Sequence, residues 1–193
     1  MAMSQADTIL ALGTRFNFLL MYGRMLEPSV KVVQVDIEPT ELGFNRGPDV
    51  GIFGEKDYQQ ITIIRRSVED LCLPVEIVGA PTVRADDGLA LSSRNRYLSA
   101  AERAVAPTVY RALDRARRRL EGGDADIPAI EQEGIDALRA AGFRPDYFEV
   151  RMAGTLMRAQ GQDIDVVVLT AARLGRARLI DNVQCRATGE IRA

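Results

Sequence analysis

Histidine is absent from the 193 residues, and cysteine occurs only twice. Without an imidazole, a mechanism that needs histidine as acid, base or phosphate donor cannot be carried by this chain alone. Cys72 and Cys185 are too few for a disulfide framework and lack His or Cys partners at ligand spacing. That argues against a zinc site and fits a reducing cytoplasm. No apolar run reaches the ~20 residues of a membrane span, and the opening residues 1–7 lack the basic region of a signal peptide. A net charge of −2 offers no bulk attraction to nucleic acid or to an anionic membrane. What remains is ordinary: 47% hydrophobic and 27% charged residues, with 16 Gly and 8 Pro, exclude collagen-like and disordered classes.

The patterning predicts an α/β protein. Thr8–Gly13 is a short apolar run ending in glycine, Lys31–Ile37 is β-branched with Asp36 at its end, and Val50–Phe53 is a third short strand. A helix is expected over residues 15–25, stopped by Pro28, and a turn over 38–43. Tyr58, Ile61, Ile64, Val68 and Leu71 recur at helical spacing, with Asp57 as the expected N-cap and Leu73-Pro74 as the stop. Val75–Val78 is a fourth strand, and the strand–helix–strand order predicts parallel pairing through right-handed crossovers. Residues 84–97 are polar and read as a hinge. Ser99 and Glu102 have capping-box spacing at the start of a helix that Pro107 kinks or restarts and that runs to Gly122-Gly123. A helix near Ala129–Ala140 and strands at 147–150, 166–169 and 178–180 complete a small α+β domain over 96–193. The expected architecture is a parallel Rossmann-like sheet followed by that domain.

Two segments carry candidate chemistry. Gly54-Glu55-Lys56-Asp57-Tyr58-Gln59-Gln60 lies between a strand and a helix, where ligands of open α/β sheets collect. Free N–H groups there favour an anion, Gly54 permits close backbone approach, Lys56 offers an ammonium to phosphate and Asp57 accepts from ribose hydroxyls. Lys56 is one of only two lysines, with Lys31. A simpler reading is also open, in which Asp57 and Gln60 form a capping box. The second segment, Leu91-Ser92-Ser93-Arg94-Asn95, combines two hydroxyls, a guanidinium and loop amides able to wrap a triphosphate, or it is a solvated interdomain loop. The run Arg115, Arg117, Arg118 and Arg119 lies beside Asp114 and Glu121 without interleaved aromatics, so a solvated helix face is favoured over a nucleic-acid patch. Asp86 and Asp87 read as turn residues.

The strings Phe53–Gln60, Pro81-Thr82-Val83-Arg84, Gly88–Ser99, Asp146–Val150 and Ala171–Asn182 together resemble the pantoate–β-alanine ligase (pantothenate synthetase) family over residues 52–193. The resemblance implies an ATP-dependent ligase, using ATP with Mg2+, that makes pantoyl adenylate and then lets β-alanine attack it. It implies ATP binding by Gly54, Glu55, Lys56, Asp57, Val83, Leu91, Ser92, Ser93 and Arg94, with Lys56, Ser92, Ser93 and Arg94 catalytic. Gln60 is implied to hold pantoate and Val83 to touch the adenine region. Residues 52–95 then correspond to the end of the ATP-binding domain and 96–193 to the C-terminal lid. A homodimer and a cytoplasmic location follow from the same likeness. The family's HxGH signature has no counterpart, since there is no histidine, and Leu91 stands where the family more often has Met.

Residues 1–54 resemble instead the middle domain of thiamine-diphosphate enzymes such as oxalyl-CoA decarboxylase. The carrying strings are Ala6–Asn17, Val33–Pro39 and Asn45–Gly54. The resemblance implies a domain without the diphosphate-metal motif that in the CoA-using members can hold ADP, with an acidic strand-end residue such as Asp36 near the ribose. The chain thus reads as a junction of two partial sequences. Three functions are expected to compete: a pantoate–β-alanine ligase weakened by the missing histidines, a chimeric nucleotide-binding module without turnover, and a thiamine-diphosphate-enzyme fragment.

Overall fold

Four short segments, rich in β-branched and small residues, pair as one parallel sheet, and three longer ones form a separate antiparallel sheet. The computed structural model describes residues 6–12, 26–35 and 47–191. It divides into two compact units, Met1–Pro81 and Thr82–Ala193. The helix expected over 15–25, the turn over 38–43 and Asp36 lie outside the described residues.

In the first unit the strands β1 (Thr8–Leu12), β2 (Lys31–Val35), β3 (Val50–Gly54) and β4 (Glu76–Ala80) lie side by side in that order. Asp49 fastens the entrance to β3: its carboxylate accepts the Val32 N–H at 2.6 Å while its own N–H donates to the Val32 carbonyl at 2.8 Å. Helix α1 (Tyr58–Asp70) joins β3 to β4 and buries Tyr58 and Ile61, with Phe53 of β3 also buried. Strand alternation sends the other residues to the opposite face. There Leu12, Val35, Ile52 and Val78 form one row across all four strands. Leu12 is 63% exposed and Leu10, on the same face, 59%. Val35 and Ile52 of the same row are half-buried, so among the described residues this apolar face is only partly covered, whereas both faces of a parallel sheet are normally covered.

Helix α1 stops three residues earlier than its Leu73-Pro74 ending predicts. Cys72 takes a left-handed φ of +50°. Around it Leu73 N–H donates to the Val68 carbonyl and Cys72 N–H to the Glu69 carbonyl. This is the Schellman closure that usually recruits glycine.

The second unit stacks two helices on the sheet β5 (Arg144–Met152), β6 (Gly161–Leu174) and β7 (Ala177–Ile191). The short helix α2 (Ala100–Val105) opens on the predicted Ser99–Glu102 capping box. Pro107 then separates it from α3 (Thr108–Glu121), so the proline restarts the helix. Val109, Ala112, Leu113, Ala116 and Leu120 of α3 face the core, as do Ile130, Gly134 and Leu138 of α4 (Ile127–Ala140). They meet Phe148, Val150, Val166 and Val168 in one continuous apolar cluster. The strands outrun their sequence signals. The β6–β7 pairing extends from Gly161–Ile191 to Leu174–Ala177, closed by the two-residue turn Gly175-Arg176 with Gly175 at φ +53°.

The polar stretch 84–97, read as a hinge, lies wholly within the second unit, whose boundary falls at Pro81/Thr82. Arg84 ties its start to Asp181 of β7, 97 residues away in the chain.

Candidate functional site

The segment Gly54–Gln60 begins where β3 ends. Gly54 is extended and exposed, and Glu55–Asp57 make a single 3-10 turn that runs directly into α1. Asp57 occupies the N-cap position as predicted, but its side chain accepts no capping hydrogen bond. This corrects the capping-box reading of Asp57 and Gln60. The preceding 3-10 turn takes over part of the work of satisfying the helix-start N–H groups. The Asp57 side chain is thereby left exposed at the carboxyl end of the sheet, with Glu55, Lys56 and Gln60 half-buried around it. The end of β3 and the start of a 13-residue helix thus meet at this point, the arrangement that favours an anionic ligand.

Val83 and Leu91–Arg94 belong to the second unit. Residues 83–91 fold back on themselves as a tight hairpin. Leu91 N–H donates to the Val83 carbonyl at 2.9 Å, Ala85 N–H to the Leu89 carbonyl at 2.9 Å, and Gly88 N–H to the Ala85 carbonyl at 2.8 Å. Gly88, at φ +90°, turns the chain where any side chain would strike the Tyr110 ring. Asp87 is the turn residue expected of it: its carboxylate accepts the Leu89 N–H and pairs with Arg103 at 2.5 Å. That guanidinium holds the Asp87 carboxyl below its ordinary range.

Beyond Leu91 the chain enters a 3-10 turn over Ser93–Tyr97, capped by the Ser92 hydroxyl, which accepts the Arg94 N–H at 3.2 Å. Asn95 Nδ2 donates back to the Ala90 carbonyl at 3.0 Å. Its Oδ1 is buried without a hydrogen-bond partner among the described residues. Ser93 and Arg94 are exposed, Leu91 is 54% and Val83 67% exposed. Among the described residues no ion pair engages the Arg94 guanidinium. The hairpin therefore sets Val83 and Leu91 opposite each other, and the turn that follows leaves Ser93 and Arg94 exposed.

Other groups singled out in the sequence serve the scaffold. Arg115, Arg117, Arg118 and Arg119 are all ion-paired, to Glu133, to Asp114 and Glu121, to Asp114, and to Asp124 and Glu133 respectively. Cys72 and Cys185 are both free thiols. Among the described residues no group of three His, Cys, Asp or Glu is placed to hold a metal. A cavity of about 510 Å³, lined by Pro48, Asp49, Phe53, Ile64, Val68 and Pro74 among others, opens in the first unit. Asp49 and Pro74 precede β3 and β4, so this cavity marks the amino ends of those strands. Gly54–Gln60 lie at the opposite ends, where ligands of open sheets bind.

Residues 44–184 match the family model described as pantoate-beta-alanine ligase. The chain belongs to that family. A second model, described as thiamine pyrophosphate enzyme, central domain, matches residues 1–58. The pantothenate synthetase of Stutzerimonas stutzeri is 55% identical over 136 residues, covering 70% of this chain and 48% of that protein. The chain spans about half the length of the curated relatives it matches. A crystal structure of pantothenate synthetase from Thermus thermophilus superposes with a TM-score of 0.68 at 27% identity, covering 93% of each chain. The pantoate-beta-alanine ligase of Francisella tularensis, solved in complex with beta-gamma ATP and beta-alanine, superposes with a TM-score of 0.51 at 27% identity over 70% of this chain and 43% of that one.

The two family matches overlap over residues 44–58, and β3 lies inside the overlap. This strand pairs with β2 through Val33–Val50 and Val35–Ile52, and with β4 through Val50–Glu76 and Ile52–Val78. The stretch that both models match thus contains a strand with parallel neighbours on both sides. Sequence reasoning assigned no role to Arg84, Tyr110 or Asp181, although Arg84 and Asp181 lie in the strings that carry the ligase likeness. No local spacing connects them. Their relation exists only once β7 is folded.

Proposed function

We propose that this chain binds ATP and descends from, and in part retains, the adenylate-forming chemistry of pantoate–β-alanine ligases. In that chemistry the carboxylate of pantoate attacks the α-phosphorus of ATP and pyrophosphate leaves. The amine of β-alanine then attacks the acyl carbon, forming the amide and releasing AMP. Lys56, Ser92, Ser93 and Arg94 are the groups assigned to the phosphates. Leu91 belongs to the same phosphate-gripping loop, Asp57 is assigned to the ribose, Val83 to the adenine region and Gln60 to pantoate, with Gly54 and Glu55 also binding ATP. Mg2+ is expected to arrive as the counter-ion of ATP. A cytoplasmic homodimer is the accompanying expectation.

The observation that carries this reading is the loop at Leu91–Arg94. The Ser93 hydroxyl and the Arg94 guanidinium are exposed on a hydrogen-bonded frame, the half-buried Ser92 hydroxyl caps the turn that carries them, and Arg94 has no ion-pair partner among the described residues. An uncommitted guanidinium beside two hydroxyls suits phosphate oxygens, where charge-assisted bonds are strongest.

A second reading, nucleotide binding without turnover, rests on the chain's lack of histidine. Each missing donor to the developing charge costs on the order of 10²- to 10³-fold in rate. Calorimetry with ATP-Mg on the wild type, Lys56→Ala and Arg94→Ala tests binding, and equal heats for all three reject the assigned site. A coupled assay with pantoate, ATP and β-alanine separates the readings, since clear product overturns the turnover-free one.

A further inference from the structure

Four hydrogen bonds and a ring contact engage the guanidinium of Arg84. Nη1 and Nη2 meet Asp181 Oδ2 and Oδ1 at 2.6 and 3.0 Å, a two-pronged grip on a carboxylate whose side chain is 3% exposed. Nη1 also donates to the Gly88 carbonyl at 3.2 Å and Nη2 to the Asn182 carbonyl at 3.2 Å. The guanidinium carbon stands 4.1 Å from the centre of the Tyr110 ring. One side chain therefore joins the first strand of the hairpin, its tip, β7 and α3.

Arg84 is bridged to Ala90, directly beside the Val83–Leu91 hydrogen bond. Asn95 closes the other side by donating to the carbonyl of that same Ala90. Leu91, Ser92, Ser93 and Arg94 hang between these two pins. A lysine in place of Arg84 brings one ammonium and no planar fork, so it cannot bond the carboxylate twice while reaching both carbonyls.

We propose that Arg84, clasped to Asp181, is a positioning residue that sets the shape of the Leu91–Arg94 loop before a nucleotide arrives. This rests on the reading of that loop as phosphate-gripping. Arg84 touches no ligand in this scheme. It acts by removing the ordering cost that a loose loop pays on binding, and by holding donors to within the small tolerances that productive contacts need.

The test uses the full chain with Arg84→Lys, Arg94→Ala and the paired neutral variant Arg84→Gln/Asp181→Asn. The paired variant leaves no buried charge behind, so it keeps the fold available for measurement. ATP-Mg affinity is read by calorimetry, and amide hydrogen exchange is read at Ala85, Leu91 and Arg94 and, as reference, at Val167 and Val168. The expected result is an affinity loss of about 10- to 100-fold in Arg84→Lys and in the paired variant. Exchange rises at the loop amides and stays at wild-type rates in β6. Wild-type affinity and loop exchange in the paired variant, alongside lost affinity in Arg94→Ala, overturn the positioning role alone. Exchange rising equally in β6 and the loop also overturns it, since Arg84 is then a general stabiliser. Unchanged affinity in Arg94→Ala overturns the phosphate reading of the loop, and the positioning role falls with it.

Discussion

Gly134 of α4 lies flat against the Phe148 ring of β5: a methyl group at residue 134 would stand 2.5 Å from the ring Cδ1. Phe148 is 3% exposed and cannot swing aside. An alanine there gains about 1 kcal/mol of helix propensity, whereas overpacking a filled core costs about 1–3 kcal/mol. With backbone and ring both fixed, the second term dominates. Gly134→Ala is therefore expected to lower the urea midpoint of unfolding, and an unchanged or raised midpoint would show that α4 can slide away from the sheet.

The box at the head of α2 satisfies two donors reciprocally. Ser99 N–H donates to the Glu102 carboxylate at 2.7 Å, and Glu102 N–H donates to the Ser99 hydroxyl at 3.3 Å. Ser99→Ala should cost about 1 kcal/mol, and Ser99→Asp should recover most of it. Thermal melts of the three proteins check this; an alanine variant as stable as the wild type would deny the cap any energetic role.

Acid should weaken the helical layer of the second unit. Arg117 holds the Asp114 carboxyl below its ordinary range, and Arg115, with Arg119, does the same for Glu133. For Asp124 the main cause is the Asp126 N–H, with Arg119 second. A carboxyl depressed in the folded state stabilises it above the unfolded value of about 4. That contribution is lost as pH falls through the lower folded values. Urea midpoints are thus expected to stay level from about pH 7 to 5 and to decline below about pH 4. Asp114→Asn should blunt that decline, and an acid limb identical to the wild type would show that this network contributes nothing to it.

The two thiols should react at very different rates. Burial pushes the Cys185 thiol up to about 11, so about 0.1% is thiolate at pH 8. Cys72 is exposed. A disulfide reagent should titrate one thiol quickly in the native protein and the second only in denaturant. Cys72→Gly should abolish the fast phase and also raise stability by about 1 kcal/mol, because glycine relieves the left-handed backbone at that residue. Two fast thiols, or a less stable variant, would contradict the assignment.

The exposed leucines Leu10 and Leu12 should take up a hydrophobic dye in the native protein. Leu12→Lys is expected to reduce dye fluorescence while shifting stability by no more than about 0.5 kcal/mol, as for surface substitutions generally. A large loss of stability would mean that this face is covered in solution.

Local features were the legible ones. Ser99 and Glu102 sit three residues apart and announced their box, and the apolar spacing of Tyr58 and Ile61 placed α1. The extent of β6 was not legible. Ala171 and Ala172, both fully buried, have little strand preference of their own, and become strand because they pair with Ile180 and Leu179. Asp57 shows a different limit. Its position as N-cap could be read from spacing, but whether its oxygen reaches an N–H depends on the 3-10 turn before it. In the candidate site, the residue types of Gly54–Gln60 and Leu91–Arg94 suggested phosphate chemistry. The clasp between Arg84 and Asp181 left no trace at any short spacing, because β7 brings its two halves together.

Every contact described for residues 83–95 is made within Thr82–Ala193: to β7, to α2 and α3, and to the hairpin's own backbone. The loop is in this sense a cartridge, carried ready-shaped by its own half of the molecule.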